Sequence, residues 1–307
     1  MRKFNLRQLG ISMILILTLS LTNSQNLNAQ SDAVQSTRPF TVILPTTYDP
    51  TMPAPLIIAL HGFAQTGDKF EKYINLAPLT QAQGIIYVHP DGTFDNTGVR
   101  FWNATPECCN FHKPKIDDDA YIMAIINSVS QNYSIDQNRI YIIGHSNGGF
   151  MANRLACMHS DRIAAVVNIA GGNFSNLNLC KPLAPISMLE IWGTADETFK
   201  GNHILGKPIL GAVKTFDYWA KLDHCSNLKE ILPQKMNIDS KVSGDETTIV
   251  RYLNCPESTE IEFWQMLKSG HVPDFNSKFS SEVVKFLLDH PKNKTISNLD
   301  SSLIKNA

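Results

Sequence analysis

Short unbroken apolar runs alternate with longer amphipathic stretches along most of the chain. Phe40 to Leu44, Leu56 to Leu60 and Gly84 to Val88 read as strands, and the second is continuous enough to be buried on both faces. Asp117 to Ser130 reads as a helix, with Ile122, Ile125 and Ile126 at helical spacing. Ile140 to Ile143 is again wholly apolar and runs straight into a Gly-rich turn, with a helix to about Met158. Strands at Ala164 to Ile169 and Ile186 to Ile191 follow, then a helix over Leu210 to Leu222. Strands near Thr248 to Leu253 and Ile261 to Met266 and a last helix over Ser280 to Leu288 complete the series. Strands separated by helices predict a mostly parallel sheet with helices on both faces, an α/β fold.

Both ends depart from this pattern. Met1 to Gln8 carries Arg2, Lys3 and Arg7, an apolar run covers Leu9 to Leu21, and a polar stretch ends on Ala29. A basic start, a short apolar core and a small terminal residue predict a cleaved secretory signal over residues 1–29. The apolar run is short for the competing reading, a membrane anchor. From Pro291 the chain is polar, which predicts a loose tail over residues 291–307. The catalytic domain is expected at 36–290, and its length supports one substantial core.

Composition narrows the partners. The chain has 27 Lys+Arg against 28 Asp+Glu, a net charge of −1, so nothing favours nucleic acid or an anionic membrane surface. After signal cleavage no stable membrane insertion is expected, and the protein should be secreted or periplasmic. Export makes disulfides the expected state of the six cysteines. Cys225 and Cys255 flank turn-like segments and are expected to pair. Adjacent Cys108 and Cys109 are expected to reach different partners, because bridging neighbours strains the backbone.

The turn after Ile143 carries the chemistry. Gly144-His145-Ser146-Asn147-Gly148 satisfies the Gly-x-Ser-x-Gly pattern, and its strand-before, helix-after context is what that pattern requires of a nucleophile elbow. A serine hydroxyl needs a base, and in this arrangement the acid and then the histidine follow the serine along the chain. Asp196 sits just after the buried strand ending at Trp192, with neighbouring Glu197 as the alternative acid. Of the four histidines beyond it, only His271 falls between the last strand and the last helix. Two backbone amides should bind the developing oxyanion. Asn147 supplies one, and Phe63, or else Ala64, supplies the other from the loop after Leu60. His61, Trp102 and His145 form the candidate substrate pocket, although Phe101 and Trp102 could equally cover the sheet edge. The acids Asp117, Asp118 and Asp119 suit a helix N-terminus better than a metal site, and no metal or cofactor is called for.

The chain resembles the polyhydroxybutyrate depolymerase and feruloyl esterase group of secreted α/β-hydrolases. The resemblance rests on Leu60 to Gly67, on Phe101-Trp102-Asn103 ahead of Cys108-Cys109, and on Asp118 to Tyr121. It continues through Gly144 to Gly149, Arg154 to Cys157, Gly193 to Asp196, Cys225, Cys255 and Gly270-His271. It implies hydrolysis of carboxylic esters by Ser146, Asp196 and His271, and it supports the Cys225–Cys255 pair. The substrate implied is a small or oligomeric ester: hydroxyalkanoate, feruloyl, or an acetyl ester of polysaccharide. Many relatives follow the histidine with Trp-Pro-Gly, where this chain has Val272-Pro273-Asp274, so one pocket wall differs. His145 also departs from the Leu or Met often found before the serine. No polymer-binding module is expected. A peptidase of the same fold and a catalytically silent binding protein are the two other readings.

Overall fold

The computed structural model of the chain describes residues 38–112, 114–201, 203–204 and 206–292. The expected signal segment, and the tail beyond Lys292, lie outside the described residues. Lys292 itself is tied down, its amide donating to Asn138 O at 2.7 Å and its ammonium to Ser160 O.

Nine strands form one sheet. They are β1 (Val42–Ile43), β2 (Ala54–Leu60), β3 (Ile86–Val88), β4 (Ile135–His145), β5 (Ala165–Ile169), β6 (Ser187–Gly193), β7 (Lys229–Met236), β8 (Thr247–Tyr252) and β9 (Ile261–Met266). Their order is β1-β3-β2-β4-β5-β6-β9-β8-β7. The pairs from β3 through to β9 are parallel, and the outer strands β1, β8 and β7 are antiparallel additions. This is the expected α/β architecture.

Side chains of a strand alternate between faces, so wholly apolar strands need two covers. Leu56, Ile58 and Leu60 of β2 pack in one core cluster, while Ile57 and Ala59 pack in the other. The first cluster is closed by helices α3 (Asp118–Asn132), α4 (Asn147–His159) and α5 (Ala212–Leu222). The second is closed by α1 (Gly67–Ile74) and α6 (Ser277–Asp289), with α2 (Ala77–Ala82) beside them. Burying each of these Leu and Ile side chains contributes about 1.5–3 kcal/mol.

Several elements go beyond the sequence expectation. Helix α1 is capped by Thr66, whose side chain accepts from the Lys69 amide, and α2 starts with Pro78 in its first turn. Strand β7 is an edge strand that contains Pro233, and an edge is where a missing amide is tolerated. Strand β4 also begins five residues earlier than the apolar run: its polar start is held by Arg139, which bonds Asp136 at 2.7 Å and Pro53 O at 3.1 Å.

The cysteines correct one expectation. Cys225 is joined to Cys255 and Cys157 to Cys180, and Cys108 is joined to its neighbour Cys109. The other four thiols are already paired, which leaves the neighbours only each other. The acid trio is fully employed in structure. Asp117 caps α3 by accepting from the Ala120 amide, Asp118 pairs with Arg38 at 2.6 Å, and Asp119 pairs with His159 at 2.6 Å.

Candidate active site

Strands β4, β6 and β9 run parallel, so the loops at their carboxyl ends open on the same edge of the sheet. Each contributes one side chain there. Ser146 follows β4 at φ 55° and ψ −117°, a left-handed conformation that a side chain adopts only when the surroundings impose it. The flanking glycines explain how it is imposed. A Cβ on Gly144 would stand 2.1 Å from Gly148 O, and one on Gly148 would stand 2.0 Å from Leu60 O. The turn is therefore pressed against itself and against β2, and α4 starts at once behind it.

The loops after β6 and β9 are bound to each other. The Thr194 amide donates to Met266 O, the Ala195 amide to Ser269 O, and the Lys268 amide to Thr194 Oγ1, each at 2.9 Å. Gly193 permits this contact, since a Cβ there would meet Ser269 O at 2.2 Å. His271 is thereby set with Nδ1 2.7 Å from Asp196 Oδ2 and Nε2 2.9 Å from Ser146 Oγ. The second carboxylate oxygen of Asp196 accepts from the Thr198 amide and hydroxyl, both at 2.8 Å. Burial acts to raise this carboxyl. The hydrogen bond and charge of His271, with the Thr198 donors, outweigh that and hold it below the ordinary carboxylate value. It is Asp196, and not Glu197, whose carboxylate meets the imidazole. An ionised acid on Nδ1 fixes the proton there and leaves Nε2 to accept from the serine.

The structure brings Ser146, Asp196 and His271 together, with Asn147 next in the chain and the loop that carries Phe63 close by. Asn147 opens α4, where helix amides point outward. Of the two choices in the loop after β2, the Ala64 amide is already donated to Arg100 O at 2.8 Å, which leaves Phe63. A Cβ on the preceding Gly62 would lie 3.5 Å from that of Ser146, so this loop closely adjoins the elbow.

The candidate pocket residues are placed differently from the expectation. His61, Trp102 and His145 are 0%, 0% and 2% exposed, so they lie beneath the site and not on its walls. Ring contacts and buried hydrogen bonds hold them there: Trp102 lies between His61 and Tyr121, and His145 lies against Phe70 and Tyr73. His145 donates from Nε2 to His271 O at 2.9 Å and so supports the loop that carries His271. His61 donates from Nδ1 to Gly62 O and accepts at Nε2 from the Gly92 amide. Burial pushes both imidazoles down to about 4, against the carbonyls of His271 and Gly62 respectively, so both are neutral supports. The rim carries Phe63, set edge-on to Phe111 with centroids 5.5 Å apart, and Val272, which is 54% exposed. Two contributors escaped the sequence reading. Thr198 is visible only as a hydroxyl two residues past an acid, a common turn pattern. The Asn147 side chain bonds the Trp102 backbone 45 residues away, and no local pattern announces such a contact.

A cavity of about 410 Å³ lies elsewhere, lined by Tyr48, Met52, Gln83 and Arg139 at the amino ends of β2 and β4, remote from Ser146.

Comparison with known proteins agrees with this architecture. A family model for the alpha/beta hydrolase fold matches residues 55–208. Feruloyl esterase B of Piromyces equi is 29% identical over 244 residues, which cover 74% of this chain and 42% of that protein. Poly(3-hydroxyalkanoate) depolymerase C of Paucimonas lemoignei is 29% identical over 126 residues, covering 39% and 28% respectively. The chain thus spans less than half the length of either curated relative. Among solved structures, an acetyl xylan esterase from Aspergillus awamori superposes with a TM-score of 0.58 at 14% identity, over 80% of this chain and 93% of that one. At that identity the likeness is one of fold.

Proposed function

From the chain's membership of the α/β-hydrolase fold family, we propose that it is a serine carboxylic-ester hydrolase working through an acyl-enzyme on Ser146. The observation that carries the reading is the continuous hydrogen-bonded row from Asp196 through His271 to Ser146 Oγ, at 2.7 and 2.9 Å.

In the first half-reaction Ser146 Oγ bonds to the ester carbonyl carbon while His271 Nε2 takes its proton. The carbonyl oxygen becomes an oxyanion held by the Phe63 and Asn147 amides. His271 then returns the proton to the departing alkoxide as the carbon–oxygen bond breaks. Water repeats the sequence on the acyl-serine, giving its proton to His271 and releasing the acid and Ser146. Asp196 stabilises the imidazolium in both halves.

The named activities of the relatives suggest feruloyl, acetyl and hydroxyalkanoate esters as substrates. The Phe63–Phe111 pair offers an apolar rest for an aryl or short acyl group. A secreted or periplasmic location accords with three disulfides, and no helix among the described residues is long and apolar enough to cross a membrane.

The test is hydrolysis of short p-nitrophenyl esters, methyl ferulate, acetylated xylan and hydroxybutyrate oligomers by the protein and by Ser146→Ala. Turnover lost in the variant, with its melting temperature kept, is the expected result. Turnover retained without Ser146 would overturn the assignment. Cleavage of amides alone would make the protein a peptidase, and a folded chain inert to every substrate would make it a binding protein.

A further inference from the structure

We infer that the side chains of Asn147 and Trp102 are positioning residues that fix the distance between the two oxyanion-binding amides. This rests on the esterase reading above and assigns to that site a part of its machinery which touches no substrate.

The two amides come from separate segments. That of Phe63 belongs to the loop after β2, and that of Asn147 to the start of α4. An oxyanion hole works only if its donors stand at a set spacing before the charge develops. Something rigid must therefore join the two segments, and the structure contains a row of bonds that does so. Asn147 grips Trp102 with both ends of its carboxamide: Oδ1 accepts from the Trp102 amide at 2.7 Å, and Nδ2 donates to Trp102 O at 2.9 Å and also to Cys108 Sγ at 3.7 Å. The Trp102 indole then donates from Nε1 to His61 O at 2.9 Å. His61 is one residue from Gly62 and two from Phe63.

The row cannot slacken easily. Asn147, Trp102 and His61 are each 0% exposed, so no water can replace a lost partner without entering the core. The indole is also held between the His61 ring, with centroids 5.0 Å apart, and the Tyr121 ring at 6.4 Å. On either side the same loop is fastened again, by the Ala64 amide to Arg100 O and the Gly92 amide to His61 Nε2, both at 2.8 Å. The carboxamide thus has a purpose beyond packing: it clamps the loop that in turn sets the opposite donor.

The variants Asn147→Ala and Trp102→Phe keep both backbone amides and remove one connection each. With p-nitrophenyl acetate, each should lower kcat about 10- to 100-fold with KM within about threefold, because displaced donors lose hold of the transition state more than of the bound ester. Affinity for a trifluoromethyl ketone, whose adduct with Ser146 carries the oxyanion, should fall in parallel. The double variant should be little worse than the poorer single one, since both cut the same row. Calorimetry separates this from unfolding, and Trp102→Phe retains an aromatic ring in the slot if Asn147→Ala does not fold. A folded variant with kcat within about twofold of the parent, or with the change confined to KM, would overturn the inference alone. So would losses that multiply in the double variant. A parent protein inert toward every ester would remove the esterase reading and this inference with it.

Discussion

The substitution Asp196→Asn tests the row of hydrogen bonds at its least exposed end. Asp196 presents two acceptor oxygens. Oδ1 takes the Thr198 amide and hydroxyl, and Oδ2 takes the His271 Nδ1 proton. An asparagine has one acceptor. If its oxygen stays with the two Thr198 donors, its NH2 group faces Nδ1 and forces the imidazole proton onto Nε2, the atom that must accept from Ser146. The lost charge adds to this. With charge centres about 4 Å apart and an effective dielectric of about 20, an ion pair between His271 and Asp196 is worth about 4 kcal/mol. The Asp196 side chain is 1% exposed, but that of His271 is 38% exposed, so solvent removes part of that figure. The remaining ~3 kcal/mol is a factor of roughly 100 in rate, and the wrong tautomer extends the loss towards about 10⁴. The assay is kcat for p-nitrophenyl acetate near neutral pH, beside a calorimetric melt. A folded Asp196→Asn protein with kcat within about tenfold of the parent would refute the reasoning.

Two further outcomes follow from buried groups. Burial pushes the Glu190 carboxyl up to about 8 from 4.5, against the Asn168 and Trp192 donors, so the folded protein holds a proton there that the unfolded chain has lost. Its contribution to stability is full below about pH 4.5 and is lost as pH rises through 8, by up to about 1.4 kcal/mol per pH unit. Glu190→Gln should therefore gain on the parent in urea melts between pH 6 and 9, and parallel profiles would count against it. Gly148→Ala drives a methyl to 2.0 Å from Leu60 O, an overpacking that should cost about 1–3 kcal/mol and lower kcat by displacing Ser146. An unchanged melt and rate would show that the elbow yields.

The central strands are legible because β2, the second half of β4, β5, β6 and most of β9 are buried on both faces, which calls for mainly apolar runs; of the polar exceptions, Asn168 and Glu190 are bonded to each other. The position of Ser146 was legible for a related reason: glycines two residues to either side are needed wherever a strand must turn that sharply. What escaped was set by contacts distant in sequence. Strand β7 is polar and holds Pro233, which on its own argues against a strand, and only its place at the edge reconciles the two. Trp102 looked as suited to a pocket wall as to the interior, since burial depends on His61, Tyr121 and Asn147, none of them near it in sequence. The Cys108–Cys109 bond is not legible in the sequence, because the partners of the other four thiols are set by contacts distant along the chain.

The placement of the three polar side chains also orders events in time. Ser146 and His271 are 125 residues apart, and β9, which delivers His271, pairs with β6 in the interior of the sheet. A chain that has emerged only as far as Asp196 has the strand that carries the elbow, yet it lacks both the β9 loop that holds Asp196 in place and the imidazole to set between acid and serine. The hydrogen-bonded row therefore closes only after the C-terminal third has docked. Such a long-range closure is among the slower steps of folding. A nascent or truncated chain accordingly lacks the row, which exists only once β9 has joined the sheet.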